Sequence, residues 1–325
     1  MTSPFGIVDR ISKNPLVRRM ATWMDAMAHP PLAIEISFDR LAAVRFGRSG
    51  SIEDFVVEPL PAGAILPSAV ETNLVDVTHV KAALESVSKR LHGQDQDVTL
   101  LLPDPVIRVF VQHFDEFPRS PEEAIPMLRW KLKKSVPFAI DETIISYMRQ
   151  SPRENGVNVV TALARQTTVR EYHALAESVG LHAGVILNSS LAAIALLEGE
   201  APALMARVSG AFLTTAIVQG GVLCAYRCVE LPAQGQDLTP KMLLDEIFPV
   251  AAYYQDHWHA GVQSVRLAGL RERVSEFAGL LEEEFHCPVQ SLLSSARSAG
   301  LLPEFASALV SSELDGLAGW TLHRA

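Results

Sequence analysis

A hairpin that occurs twice limits this chain more than any other feature. Residues 33–36 (Ala-Ile-Glu-Ile) run in as a strand, 37–40 (Ser-Phe-Asp-Arg) turn, and 41–46 run out as a second strand. The pattern returns in the second half. Residues 206–211 enter, 212–218 continue, Gly220 and Gly221 turn, and 222–231 run back. Apolar strands with short polar interruptions suit a sheet half buried against helices, and a Gly-Gly turn suits a β-hairpin. Strands and helices alternate after each hairpin, so the pattern predicts a duplicated α/β architecture with a cleft between two lobes.

Length and charge narrow the function classes. The 325 residues are 48% hydrophobic and 20% charged, ordinary for a globular protein that buries one large core or two lobes. A net charge of -9 argues against nonspecific nucleic-acid binding. Cys224, Cys228 and Cys287 are odd in number and form no Cys-x-x-Cys pair, which fits a reduced compartment and neither a disulfide scaffold nor a zinc knuckle. No apolar run approaches the ~18 residues of a membrane span, and the N-terminus lacks the apolar core of a signal peptide. The expected location is the cytoplasm.

Residues 1–28 form a distinct basic, amphipathic N-terminal arm. Phe5, Ile7, Val8, Ile11, Leu16, Val17, Met20, Trp23, Met24 and Met27 recur at roughly helical spacing, Arg10, Lys13, Arg18 and Arg19 lie between them, and Pro15 interrupts the segment. Such a segment suits an anionic membrane surface; an arm that packs on the body or stays disordered is the plainer reading. Residues 52–60 read as a strand and 61–67 as a loop. Residues 77–91 read as a helix with Val77, Val80, Leu84, Val87 and Leu91 on one face and Asp76 as N-cap. Residues 98–102 are a buried strand. Residues 106–180 form a compact unit in the order strand, helix, strand, strand, helix; Ser120 caps its first helix and Pro121 opens it. Further helices are expected at 189–197, 240–257, 274–285 and 303–320, and further strands at 185–187, 265–269 and 288–293.

Several ordered stretches resemble a known family: Leu60-Pro-Ala-Gly-Ala-Ile-Leu-Pro-Ser68 followed by Asn73 and Asp76; Leu102-Pro-Asp-Pro-Val-Ile-Arg108 followed by Phe117 and Pro118; Trp130 to Pro137 followed by Tyr147; and Gly180-Leu181 followed by Ala195-Leu196. Together, over roughly residues 30–325, they resemble the PilM family of type IV pilus assembly proteins, relatives of the cell-division protein FtsA in the actin-like ATPase superfamily. The resemblance implies an actin-like (ribonuclease H-like) duplicated two-lobed α/β fold with an inserted α+β subdomain of the FtsA/PilM type. It assigns 29–105 and 181–204 to the first lobe, 106–180 to the inserted subdomain and 205–325 to the second lobe. It implies as partner the cytoplasmic N-terminal tail of a PilN-like membrane protein, held in the groove between the first lobe and the inserted subdomain, together with other pilus assembly platform proteins. The location it implies is peripheral, at the inner face of the inner membrane.

The same resemblance locates a nucleotide site and shows it altered. The family's first phosphate loop reads Asp-x-Gly; here it is Glu35-Ile-Ser37, with Asp39 in the same turn. Glycine there lets backbone N–H groups reach phosphate oxygens, and Ser37 adds a Cβ. The second loop, Asp-Ile-Gly-Ala in the family, is Val208-Ser-Gly-Ala211. Shifting the alignment by one puts Arg207 at the acidic position, so no carboxylate for a metal appears either way. Gly210, Thr214 and Thr215 remain. The adenosine loop, Gly-Gly in the family, is Gly269-Leu270. Phosphoryl transfer rests on positioning and metal electrostatics, so the expectation is a degenerate site (Glu35, Ser37, Asp39, Gly210, Thr214, Gly269), no catalytic residue and no cofactor. ATP with magnesium is the alternative. The functional expectation is a scaffold; the alternatives are an active actin-like ATPase driving pilus assembly and a secretion-system component of the GspL kind.

Other clusters have plainer readings. His257 and His259 share a face only on a strand, and their segment reads as a helix end, so no metal is expected. Arg129, Lys131, Lys133 and Lys134 read as a solvated basic face, with phosphate or lipid-headgroup contact as the alternative. Trp130 and Phe138 read as core.

Overall fold

A computed structural model describes residues 30–47, 51–91, 96–152, 156–197, 199–302, 306, 309–310 and 312–322. The arm expected over 1–28 lies outside the described residues. The first hairpin forms where its pattern predicts it: β1 (Leu32–Ile36) pairs antiparallel with β2 (Arg40–Phe46), which pairs antiparallel with β3 (Ile52–Pro59). Every residue of β1 is buried, because helices cover both faces of this central strand. α1 (Val77–Arg90) follows. Asp76 accepts the N–H of His79 as its cap, and Val80, Ala83, Leu84 and Val87 make the buried face at 3- and 4-residue steps; Leu91 is buried as expected, but Val77, in the first turn, is 51% exposed. β4 (Asp97–Leu102) returns parallel to β1.

β5 (Arg108–Phe114), α2 (Pro121–Leu132), β6 (Thr143–Pro152), β7 (Val157–Arg165) and α3 (Gln166–Glu177) come next, in the order the sequence predicts. Pro121 opens α2 at a position where its missing N–H costs nothing; Ser120 makes no side-chain cap bond, unlike the expectation. The three strands form a separate antiparallel sheet in the order β5-β7-β6. One face packs α2 through Phe114, Leu128 and Val159, and through Leu132, Ile140 and Leu163.

The chain then re-enters the first sheet with β8 (His182–Asn188), parallel to β4. α4 (Ser189–Ala193) follows, capped by Asn188. The second lobe is built from β9 (Ala203–Ser209), β10 (Phe212–Gln219), β11 (Val222–Glu230), α5 (Pro240–Trp258), β12 (Ser264–Ala268), α6 (Val274–Phe285) and β13 (Val289–Ser291). α7 (Leu292–Ser298) and α8 (Asp315–Leu322) close the chain. The two large sheets share one plan. Their orders are β3-β2-β1-β4-β8 and β11-β10-β9-β12-β13. In both, the two hairpin pairings are antiparallel and the remaining two are parallel.

Packing departs from the expected lobe boundaries at two places. α3, counted within 106–180, buries Tyr172, Leu175 and Ala176 in the core of the first lobe. α8, counted within 205–325, shares that core through Leu317, Ala318, Trp320 and Leu322. Every residue of α8 is buried, so the helix has no polar face from which the sequence could show which lobe it joins. Gly319 lets it lie against α4: a Cβ there would fall 2.1 Å from the carbonyl oxygen of Ala192.

Candidate functional site

The ends of β1 and β9, equivalent central strands of the two sheets, meet at one buried ionic cluster. Glu35 stands near the end of β1 and Arg207 near the end of β9. The Arg207 guanidinium donates to Asp315 Oδ2 at 2.6 Å, to Glu35 Oε1 at 2.9 Å and to Asp104 Oδ2 at 3.2 Å. Asp104 follows β4 and Asp315 opens α8, so one side chain of the second lobe holds a central strand, the loop after β4 and the C-terminal helix. All four residues are buried. A buried charge is tolerable only when paired and hydrogen-bonded. Asp104 meets that condition fully: it also accepts the Ser190 N–H (2.9 Å) and the hydroxyls of Ser190 (2.6 Å) and Thr214 (2.8 Å). Around it, Tyr226 donates to Asn188 Oδ1 at 2.9 Å, and Asn188 donates to the Asp104 carbonyl at 3.2 Å.

The cluster carries more acids than bases, and proton affinities shift accordingly. Burial raises the pKa of Glu35 against the opposing pull of Arg207. Its Oε2 has no hydrogen-bond partner among the described residues. Burial lowers the pKa of Arg207, but Asp315, Asp104 and Glu35 together raise it well above the ordinary value. Burial, then the Asp104 charge, push the Cys228 thiol up to about 12.

The hairpin tips beside the cluster are occupied by protein. Phe38 lies against Gly210, where a Cβ would come within 2.9 Å of Phe38 Cδ1; the φ of +59° at Gly210 also favours glycine. The Ser37 N–H donates to the Arg40 carbonyl at 2.9 Å, closing the turn on itself. Gly269 abuts the Val208 carbonyl, and Leu270 is buried in the second-lobe core. Of the six expected positions, Glu35 and Thr214 therefore enter the Arg207–Asp104 cluster. Ser37, Asp39 and Gly210 form the facing turns, and Gly269 lies behind Val208. Beyond the turns the cleft keeps a cavity of about 750 Å³, bounded by Arg40, Val208, Gly269, Leu270, Arg271 and Glu313. Arg40 and Arg271 both reach Glu313 there, the first through its carbonyl (3.2 Å) and the second through its carboxylate (3.8 Å).

A second, apolar cavity of about 210 Å³ opens between the first lobe and the inserted sheet. Ile144 and Met148 of β6, Val160 of β7, Val185 and Leu187 of β8, and Leu223 of β11 line it. β8 ends its sheet, and among the described residues no strand pairs on its outer side. Gln150 spans the rim: its side chain donates to the Leu223 carbonyl (2.8 Å) and accepts the Leu223 N–H (2.7 Å).

Reading the sequence missed the roles of Asp104, Asp315, Ser190 and Asn188. Asp104 lies inside the Leu102-Pro-Asp-Pro stretch already noted as a family resemblance; nothing local singles out Asp315. Among the described residues no group of three His, Cys, Asp or Glu side chains is arranged to hold a metal ion, and His257 bonds the Tyr253 carbonyl at 2.8 Å. Trp130 is 81% exposed, which corrects the reading of it as core: the inward face of α2 is filled by Ala124, Leu128 and Leu132. No helix among the described residues is long and apolar enough to cross a membrane.

No protein-family model and no curated protein matches the chain. Among solved structures it is similar to a chain of the PilM-PilN type IV pilus biogenesis complex, with a TM-score of 0.66 and 17% identity over 90% of this chain and 98% of that one. It is also similar to the cytoplasmic domain of EpsL, an inner-membrane component of the type II secretion system of Vibrio cholerae (TM-score 0.48, 10% identity, 84% of this chain and 95% of that one). A Bacteroides thetaiotaomicron protein with an actin-like ATPase fold and unknown function matches with a TM-score of 0.48 and 13% identity, over 86% of this chain and 98% of that one. Taken with the two sheets of one plan and the inserted three-stranded unit, the first of these likenesses shows that the chain has the actin-like fold in its PilM-like form.

Proposed function

We propose that this protein is a scaffold of a type IV pilus assembly platform, peripheral at the inner face of the inner membrane, and that it works without nucleotide turnover. The observation that carries the second half is Arg207 seated within 2.6–3.2 Å of three carboxylates. A magnesium nucleotide needs free carboxylates or their bound waters for the metal and open backbone N–H groups for phosphate. Here the carboxylates already hold a guanidinium, Phe38 fills the space against Gly210, and the Ser37 N–H is spent on Arg40. The residues present do not fit the magnesium nucleotide, and no catalytic step is assigned to them.

The likeness to the PilM-PilN complex supports the partner side of the reading. The apolar cavity beside β8 offers an open strand edge together with apolar sockets, the two features that an extended peptide uses. In this reading the N-terminal tail of a PilN-like membrane protein lies along β8, over Ile144 and Met148.

Two measurements test the proposal. Millimolar magnesium ATP should leave the melting temperature unchanged, since only a ligand of the native state raises it. A clear rise overturns the nucleotide half. A synthetic tail peptide of the cognate PilN-like protein should bind the full chain, and Ile144→Glu, at a half-exposed position, should weaken that binding at least about tenfold. Equal binding by the variant removes the groove assignment.

A further inference from the structure

The outer face of α2 takes no part in the cleft or the groove, and it is unusual. Met127 and Trp130, three residues apart, stand on it 37% and 81% exposed. Trp130 is the most exposed large apolar side chain among the described residues.

The basic residues around it divide into two kinds. Arg129 turns inward and donates to the carbonyls of Ile140 (3.0 Å) and Thr143 (3.1 Å). Lys131 donates to the His113 carbonyl at 2.8 Å and covers the Phe114 ring at 3.8 Å. Lys133 and Lys134, three and four residues beyond Trp130, are exposed and make no ion pair or hydrogen bond among the described residues. Among the acids of this unit, Glu122 and Glu123 are at the far end of α2, Asp141 is paired with Arg129 at 3.8 Å, and Asp115 lies 3.8 Å from His113 and acts on Lys131. The end of α2 and the turn after it therefore present an exposed indole, a thioether and two ammonium groups without an ion pair among the described residues.

We propose that this end of α2 docks on an anionic lipid surface, with Trp130 and Met127 entering the headgroup boundary and Lys133 and Lys134 meeting lipid phosphates. Indole prefers that boundary, where one edge is apolar and the other wet. Lysines beside it gain from the negative potential of the leaflet. An acidic protein would satisfy the lysines, but a protruding indole needs a matching pocket; a lipid interface accepts it without one. The inference goes beyond the scaffold reading and does not rest on the groove or on nucleotide.

The test is co-sedimentation of the full chain with vesicles of phosphatidylglycerol and phosphatidylcholine in equal parts, and with phosphatidylcholine alone. The parent should bind the anionic vesicles and leave the neutral ones. Each lysine is worth about fivefold in partition, so Lys133→Glu with Lys134→Glu should lower binding by at least about 25-fold. Trp130→Ser should lower it about tenfold. Both variants change exposed sites and should keep the parent's melting temperature. Parental binding by either variant overturns the proposal: the lysine result would assign binding to another surface such as the 1–28 arm, and the tryptophan result would leave an adsorbed protein without an inserted indole. Equal binding of the parent to both vesicle types also overturns it.

Discussion

Arg207 Nε donates to Asp315 Oδ2 at 2.6 Å across 108 residues of sequence, joining the central strand of the second sheet to a helix embedded in the first lobe. The same guanidinium reaches Glu35 and Asp104, so the two lobes are tied at the point where their equivalent hairpins face each other.

Removing that cation should be expensive. Arg207→Met leaves three buried carboxylates without their counter-charge, and breaking a buried pair from one side costs about 3–5 kcal/mol. Urea denaturation at neutral pH should show a loss in that range. A loss below about 1 kcal/mol would mean that the cluster opens to water and relaxes.

Glu35 should impose a pH dependence of definite sign. Burial raises its pKa in the folded chain, so above the ordinary carboxylate range the folded state holds a proton that the unfolded chain has released. The stability from this group is fully present below its unfolded pKa, about 4.3, and is lost as pH rises through the higher folded value. Glu35→Gln cannot titrate, so the melting temperature of the parent should fall relative to the variant's as pH rises above that range. Parallel pH profiles would contradict the raised pKa.

Two glycine substitutions should have opposite effects. Gly319→Ala puts a methyl 2.1 Å from the Ala192 carbonyl oxygen, forcing α8 away from α4; overpacking of this kind costs about 1–3 kcal/mol. Gly279→Ala, inside α6 with nothing within 4 Å, should stabilise by about 0.5–1 kcal/mol. Thermal denaturation of the two variants checks both signs.

Gln150→Ala should loosen the inserted sheet from the second lobe. It leaves the buried N–H and carbonyl of Leu223 without their side-chain partner, at a cost of about 1–3 kcal/mol. Hydrogen exchange at the Leu223 amide should accelerate more than at neighbouring β11 amides. Unchanged exchange there would show that the clamp does not hold the strand.

Much of the fold was readable because it is written at short range. The in-and-out run from Ala33 to Phe46 makes its own hairpin. Asp76 caps α1 three residues ahead of His79, and Val80, Leu84 and Val87 declare the buried face of α1 by spacing alone. The repeated hairpin announced two sheets before any pairing was known. At the candidate site, Glu35, Arg207 and Thr214 could be named because they fall on or beside the loops that the family resemblance locates. What each touches could not. A side chain that faces inward shows its period but not its partner, and Trp130 looked like core because an isolated aromatic carries no sign of which face its helix will bury.

The two hairpins, the Asp76 cap of α1 and the duplicated plan follow from residues a few positions apart, where backbone geometry leaves few choices. The convergence of Glu35, Asp104, Arg207 and Asp315, the docking of α8 on the first lobe, and Phe38 set against Gly210 were decided only when the lobes packed. These contacts join residues more than one hundred positions apart, and their energy comes from excluding water around charges and rings that are ordinary in isolation.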